Sequence, residues 1–550
     1  MKRFFRLLAL LFLAWLAFEF WTVGSGKPHT TLRPLPSHLK KGAYHVHSTL
    51  SDGRGSVKEI AAAAARQGLQ FVILTDHGRP NRAAAAATGW QGDVLVVGGS
   101  ELSVGEGHLA ATGFYPPDWS FAPEGPLARR DVERLAGVTF VAHPFDRAIP
   151  WRAPDDAGAT GIEIVSAYQQ VRQVSWLRLL RLPLQYLLSP GGAQLHLLRE
   201  PRRELAWWDR LLERRQVFGI YALDAHGPLP FLGLPSYEAM FSLLTVYVQS
   251  NGPLDRDSGV AAAGLVGALR AGRFFSAIEA LAPASGFDSC FRTEAGVRFE
   301  TGATVPAGTR GDLVWEIPAD FPVEIRVIRN GRLWRTISTR GAGRQSCPAS
   351  EPGVYRSEVH PAEGPFRDLP WILTNPVRLL PPSSGETTPP TAPRTGMPAV
   401  PLDLTGPVVE KNDASAAALS WTADGRAVLD LTVRPERAGD SWVALAWHRP
   451  ADWGKYPALR IEVRTNRPTR LGVQVRCGAA GQEGRFQRSI FCSPDGGAET
   501  VPFTELRSLP GTSTAFDATR VTALYLLADP DLLGNLAPLH LEIAGLELAE

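Results

Sequence analysis

The chain has 550 residues, too many for a single hydrophobic core, so two to four domains are expected. Its formal net charge of +2 is near neutral for that length, and no basic stripe with interleaved aromatics occurs, which argues against nucleic acid as a partner. The high glycine and proline content, 53 and 45 residues, suits a chain rich in loops and β-structure.

The N-terminus opens Met1-Lys2-Arg3 and continues as an apolar run from Phe4 to Val23, broken only by Arg6 and Glu19. A basic start ahead of such a run reads as a signal peptide or signal anchor over residues 1–24. The uncharged core, Leu7 to Phe18, is short for a full membrane span. Val23-Gly24-Ser25 is a weak cleavage site, so removal and retention both stay open. The expected location is exported, periplasmic or extracytoplasmic, with inner-membrane anchoring as one option. The four cysteines fit export: pairing of Cys290 with Cys347 and of Cys477 with Cys492 is expected, with four buried thiols as the alternative.

Residues 40–282 alternate strand and helix. Strands are predicted at Ala43–His47, Phe71–Thr75, Val94–Gly99, His108–Phe114, Val138–Ala142, Gly161–Val165, Val217–Leu223 and Phe274–Ile278. The first crossover helix carries its own punctuation: Ser56 and Glu59 form an S-x-x-E capping box and Gly68 follows the end. Helices are also predicted at Arg203–Arg214 and Gly259–Ala271. Such alternation implies a parallel sheet or barrel. The apolar stretch Trp176 to Leu188 interrupts it, as a lid, an interfacial helix or an ordinary covering helix pair.

Residues 285–380 read as a small β-sandwich, with strands at Val297–Thr301, Asp312–Ile317, Val323–Arg329 and Leu333–Ser338 and a hairpin turn at Asn330-Gly331. Residues 381–402 form a Pro/Thr/Ser linker. Residues 403–550 resume as strands and fit a jelly-roll β-sandwich. That last domain resembles carbohydrate-binding modules only loosely; Trp421, Trp442, Trp447 and Trp453 would supply either a sugar-stacking platform or core packing.

The chemistry gathers at the ends of the predicted strands. His45 and His47 are two apart, which places both imidazoles on one face of a strand. Most of the other candidates, Asp52, His77, Glu101, His108, His143, Asp224 and His226, also sit at the end of a strand-like run. Imidazole and carboxylate together suit Zn, Mn or Fe, and strand ends are where a barrel enzyme keeps its site. Arg54, Arg79 and Arg147 stand beside these motifs as candidate phosphate clamps. Asp76 either orients His77 or caps a helix. Glu279, also after a strand, is not counted among the ligands.

These motifs, His45-Val46-His47 with Ser51-Asp52-Gly53, Thr75-Asp76-His77, Glu101, His143-Pro144 and Asp224-Ala225-His226, resemble the PHP (polymerase and histidinol phosphatase) superfamily over residues 42–280. The resemblance implies an α/β fold, a distorted (βα)7 barrel, here followed by two β-sandwich domains. It also implies two or three divalent metal ions. His45, His47, Glu101 and Asp224 would hold one ion. Glu101 would bridge to a second, with His108 and His143, and Asp52, His77 and His226 would hold a third. Some relatives have His where this chain has Asp52, which leaves the third metal's identity open. Pro370 to Pro376 resembles the end of the first β-domain in exported relatives that hydrolyse esters and carbamates.

The expected function is a metal-dependent hydrolase, with Glu101 and Asp224 at the reacting centre and a phosphoric monoester as first choice of substrate. An ester, amide or carbamate is the alternative on the same site, since one hydroxide attacks phosphorus or carbonyl carbon alike. The third reading is a non-catalytic surface protein that binds metal and glycan; the near-complete ligand set argues against it. Expected partners are a small-molecule or glycan-linked ester, the membrane through the N-terminus, and carbohydrate at the last domain.

Overall fold

The structure is a computed structural model that describes residues 2–24, 30–174, 182, 184–187, 189–227, 235–250, 252–382, 399–402, 406–435, 441–479 and 482–549. The linker expected at 381–402 and the Trp176 to Leu188 stretch fall largely outside the described residues, as does Ser25 of the weak cleavage site. The chain divides into two compact units, one of residues 1–116 and 132–385, the other of residues 117–131 and 386–550.

The first unit is mixed α/β. After a helix at Lys2–Gly24 come β1 (Leu39–Val46), β2 (Phe71–Leu74), β3 (Gly89–Gln91), β4 (Val94–Val97), β5 (Gly99–Val104), β6 (Gly107–Thr112), β7 (Val138–Val141), β8 (Gly161–Ser166), β9 (Phe218–Ala222), β10 (Leu244–Gln249) and β11 (Phe274–Ile278). β11 has the predicted ends, and most others shift by one or two residues. β10 was not predicted, although Leu244, Val246 and Val248 alternate with Thr245, Tyr247 and Gln249; all six are buried. The first crossover helix, Val57–Arg66, begins as its residues dictate: Glu59 Oε2 accepts from Ser56 N at 2.8 Å and Ser56 Oγ accepts from Glu59 N at 3.3 Å.

The strands do not close into one hydrogen-bonded ring, so the expected (βα)7 barrel is corrected. β5 to β9 form one sheet, in that order. β1, β2 and β4 run parallel in a second sheet, and β10 and β11 join it antiparallel. The two sheets meet at isolated bridges, Val46 with Ala225 and His77 with Glu101. His47 N donates to Ala225 O at 2.9 Å, and Glu101 N donates to Thr75 O at 3.0 Å. Both seams therefore lie at the strand ends that carry the histidines. The interior is filled by Tyr44, Phe71, Ile73, Phe140, Ile220 and Val246.

The region read as a small sandwich shares a sheet with these strands. β11 pairs with Ile372–Thr374, which leads on to Gly353–Pro361 and Val323–Arg329. A separate four-stranded sheet holds Asp288–Thr293, Arg298–Glu300, Gly311–Ile317 and Gly343–Ala349. The Asn330-Gly331 hairpin forms as predicted, with φ of 49° and 73° joining Arg329 to Arg332.

In the second unit two six-stranded antiparallel sheets enclose a core that includes Leu429, Trp447, Trp453, Ile461, Val473 and Leu526. Residues 117–131 belong to this unit. Arg470 Nε donates to Asp131 Oδ2 at 2.7 Å, both side chains being buried, and Ser489 N donates to Glu124 Oε1 at 2.9 Å.

The expected disulfides are absent, and all four cysteines are free and buried. Cys477 and Cys492 stand at opposite ends of one hairpin, opposite Gly484 and Thr469 respectively. Eight residues of extended strand separate them by roughly 26 Å, far beyond disulfide reach. Cys290 and Cys347 lie on the two strands that flank Gly311–Ile317, again out of range.

Arg470→Met removes the guanidinium that neutralises buried Asp131. It should destabilise the second unit by about 3–5 kcal/mol, read by calorimetry as an earlier unfolding transition. Adding Asp131→Leu should recover much of the loss.

Candidate metal centre

Three backbone positions set the geometry. His45, His143 and Asp224 all have positive φ, at 62°, 29° and 51°. This conformation is costly for residues with a Cβ and persists only where the surroundings impose it. At His45 it accompanies a register shift between Ala43 and Val46. The two imidazoles thus converge through a bulge, not through the plain alternation of a regular strand: His45 Nε2 and His47 Nε2 are 3.2 Å apart.

All nine predicted ligands come together. His45 Nε2 lies 3.5 Å from both Glu101 Oε2 and Asp224 Oδ1, and His47 Nε2 lies 3.3 Å from each. Four donors about 2.1 Å from a common centre would stand roughly 3.4 Å apart in a tetrahedron, so this group has the spacing of a divalent cation's ligands. The other oxygen of Glu101 serves a second group: Oε1 is 2.7 Å from His108 Nδ1 and 2.8 Å from His143 Nε2. A third group surrounds Asp52, whose Oδ2 is 3.5 Å from His77 Nε2 and 3.3 Å from His226 Nε2. His47 joins this group as well, its Nδ1 3.3 Å from Asp52 Oδ1, while His77 Nδ1 is 3.3 Å from Glu101 Oε2. The clusters therefore overlap more than the expected division into three sets.

The electrostatics follow from burial. Desolvation disfavours charge on Glu101 and Asp224, yet the surrounding imidazoles, His45 foremost, hold both carboxyls well below their ordinary values. His47 does the same for Asp52. Burial also opposes charge on His45 and His47, but Glu163, Asp224, Asp52 and Glu101 override it and raise both rings. Glu101 likewise pushes His143 up to about 9, whereas burial holds His77 below its ordinary value. Buried carboxylates need cationic neighbours, and the donor set fits divalent metal ions.

Other groups hold the ligands in place. Glu163 was not predicted. It is buried in β8, with Oε1 2.5 Å from His45 Nδ1 and Oε2 accepting from His143 N at 2.8 Å. An acid inside the apolar run Gly161–Ser166 was the available signal. Asp76 neither bonds His77 nor caps a helix; Asn81 does the capping. Asp76 instead accepts from Ser48 N, Ser48 Oγ and Ser51 Oγ at 2.8, 2.9 and 2.7 Å, pinning the loop that carries Asp52. Tyr237 donates to His47 O at 2.8 Å and accepts from Arg54 N and Gly55 N at 3.1 and 3.2 Å. Gly53 is required because a Cβ there would sit 2.3 Å from His47 O.

Of the three arginines, only Arg54 lines the cavity that also reaches Asp52, Asp224 and His226. Arg79 is half-buried and Arg147 exposed, and neither lines it. Glu279 is structural: it pairs with Lys41 at 2.8 Å and accepts from Tyr247. The four-tryptophan platform does not form. Trp447 and Trp453 are core residues, and only Trp421 is well exposed.

Glu163→Gln should weaken metal affinity by about 10- to 100-fold while leaving the fold intact, because it loosens the orientation of His45. Metal titration with circular dichroism as the folding control measures both. Unchanged affinity would remove Glu163 from the site.

No family model matches the chain, and no curated protein matches it. Among solved structures it is similar to a two-domain protein from Bacteroides vulgatus containing a predicted PHP-like metal-dependent phosphoesterase, at 14% identity and a TM-score of 0.31, covering 64% of this chain and 98% of that one. It is also similar to a family 11 carbohydrate-binding module from Clostridium thermocellum, at 12% identity and a TM-score of 0.24, covering 28% of this chain and 95% of the module. At these scores neither likeness carries a functional argument.

Proposed function

We propose that the chain is a metal-dependent hydrolase of the PHP type that cleaves a phosphoric monoester with two or three divalent ions, Zn, Mn or Fe. One observation carries the reading: buried Glu101 turns one oxygen to His45, His47 and His77 and the other to His108 and His143. Ions held there would supply Lewis acidity and lower the pKa of water toward neutrality. The ligands on this reading are His45, His47, Asp52, His77, Glu101, His108, His143, Asp224 and His226. Glu163, Asp76 and Tyr237 position them. Arg54, exposed on the cavity rim, supplies the cationic fork for phosphate oxygens.

An ester, amide or carbamate substrate is the second reading, favoured by the fact that Arg79 and Arg147 lie off the cavity. A carbonyl substrate needs no arginine clamp. The two readings separate on a panel of aryl phosphate, ester and carbamate substrates with Mn or Zn. The phosphate should turn over fastest, and His45→Ala with His47→Ala should bring turnover below detection. Hydrolysis undiminished in the double variant would sink both readings.

Export is proposed as well, with the helix Lys2–Gly24 as leader or anchor. Leu10, Leu11, Phe12 and Leu13 on it are more than half exposed, and such apolar surface calls for a partner phase. Among the described residues no helix is long and apolar enough to cross a membrane. Fractionation should find the full chain outside the cytoplasm and residues 25–550 inside; retention of both in the cytoplasm would count against export. Carbohydrate recognition by the second unit rests on Trp421 alone. Trp421→Ala should abolish any polysaccharide retention of the full chain.

A further inference from the structure

The cavity that opens beside the cluster has a volume of about 360 Å³ and two unlike ends. Asp52, Asp224, His226 and Arg54 form the polar end. The rest of its lining is dominated by Val171, Leu197, Leu198, Leu223, Met240 and Leu243. Tyr168 also lines it, its ring 4.9 Å from that of His226. A sugar or nucleoside would need hydrogen-bonding groups along such a wall. The one amide there, Gln194, already directs its nitrogen to the carbonyls of Pro190 and Ala239, at 3.4 and 3.1 Å.

We infer that the substrate is a phosphoric monoester of an apolar, single-chain alcohol. This rests on the hydrolase reading above and narrows it. The phosphoryl group lies at the Asp52–His226 end, beside Arg54, and the carbon chain fills the apolar end. At roughly 30 Å³ for each water-sized group, the cavity takes about a dozen non-hydrogen atoms, enough for the phosphate ester group and one chain of about seven or eight carbons, and too few for two chains. Met240 lets the wall adapt, because its unbranched thioether has many rotamers. In the reaction a water oxygen bonds to phosphorus and the ester P–O bond breaks. The alcohol oxygen leaves with one water proton, and the other stays with inorganic phosphate.

The test uses the full chain loaded with Mn or Zn and a series of methyl, butyl, octyl and decyl phosphates below their micelle concentrations. kcat/KM should climb by up to about fourfold for each methylene buried, and level off near eight carbons. Val171→Trp and, separately, Met240→Trp fill the cavity and should lower the decyl-to-butyl ratio of kcat/KM by about tenfold or more, the equivalent of two lost methylenes. The wild-type series needs no variant to fold. Turnover without chain-length preference overturns the inference and leaves the phosphoesterase reading standing. A chain-length preference that neither filled, folded variant alters overturns the placement in this cavity. No turnover of any phosphate ester overturns both.

Discussion

The constraint on which the first unit turns is the burial of one carboxylate. Glu101 is almost inaccessible, and both its oxygens face imidazoles from different strands. A buried anion is stable only with positive charge on each exposed lone pair, so both sides of Glu101 must be populated at once. His45, His47, His77, His108 and His143 meet that demand from the ends of β1, β2, β6 and β7. The same demand accounts for one of the two seams: the bridge between His77 and Glu101 is one of the two places where the sheets touch.

Convergence has a conformational cost. His45, His143 and Asp224 each hold a positive φ, of the kind that costs roughly 1–3 kcal/mol per residue. The strain persists because neighbouring bonds leave no alternative. Glu163 takes the ring of His45 and the backbone of His143 together, and Ala225 N donates to His45 O at 3.2 Å. Around the outer rim the loop with Asp52 is held by Asp76 from one side and Tyr237 from the other. The ligands are thus placed by groups that would never touch a metal, which is the arrangement that keeps donor distances fixed before any ion arrives.

Charge and apolar surface divide the neighbouring space. Cations and acids are confined to one end of the cavity beside His226, and leucine, valine and methionine line the rest. Catalytic chemistry and binding of the carbon portion would then draw on different forces, electrostatic at the cluster and hydrophobic at the wall.

The nine residues that converge at the cluster, the capped helix at Val57–Arg66, the Asn330-Gly331 turn and most strands were legible in the linear sequence, because strand-end chemistry, caps and turns are local signals. Glu163 was missed since one acid in an apolar run looks the same whether it faces a ligand or a gap. What tertiary structure alone decided was non-local. It split the strands into two sheets, continued one of them into Ile372–Thr374, and drew residues 117–131 into the second unit. It left four thiols apart, put Arg54 and not Arg79 or Arg147 on the cavity, and buried two of the four tryptophans. Each of these depends on which strand lies beside which and what that pairing covers, and residue order carries no direct record of either.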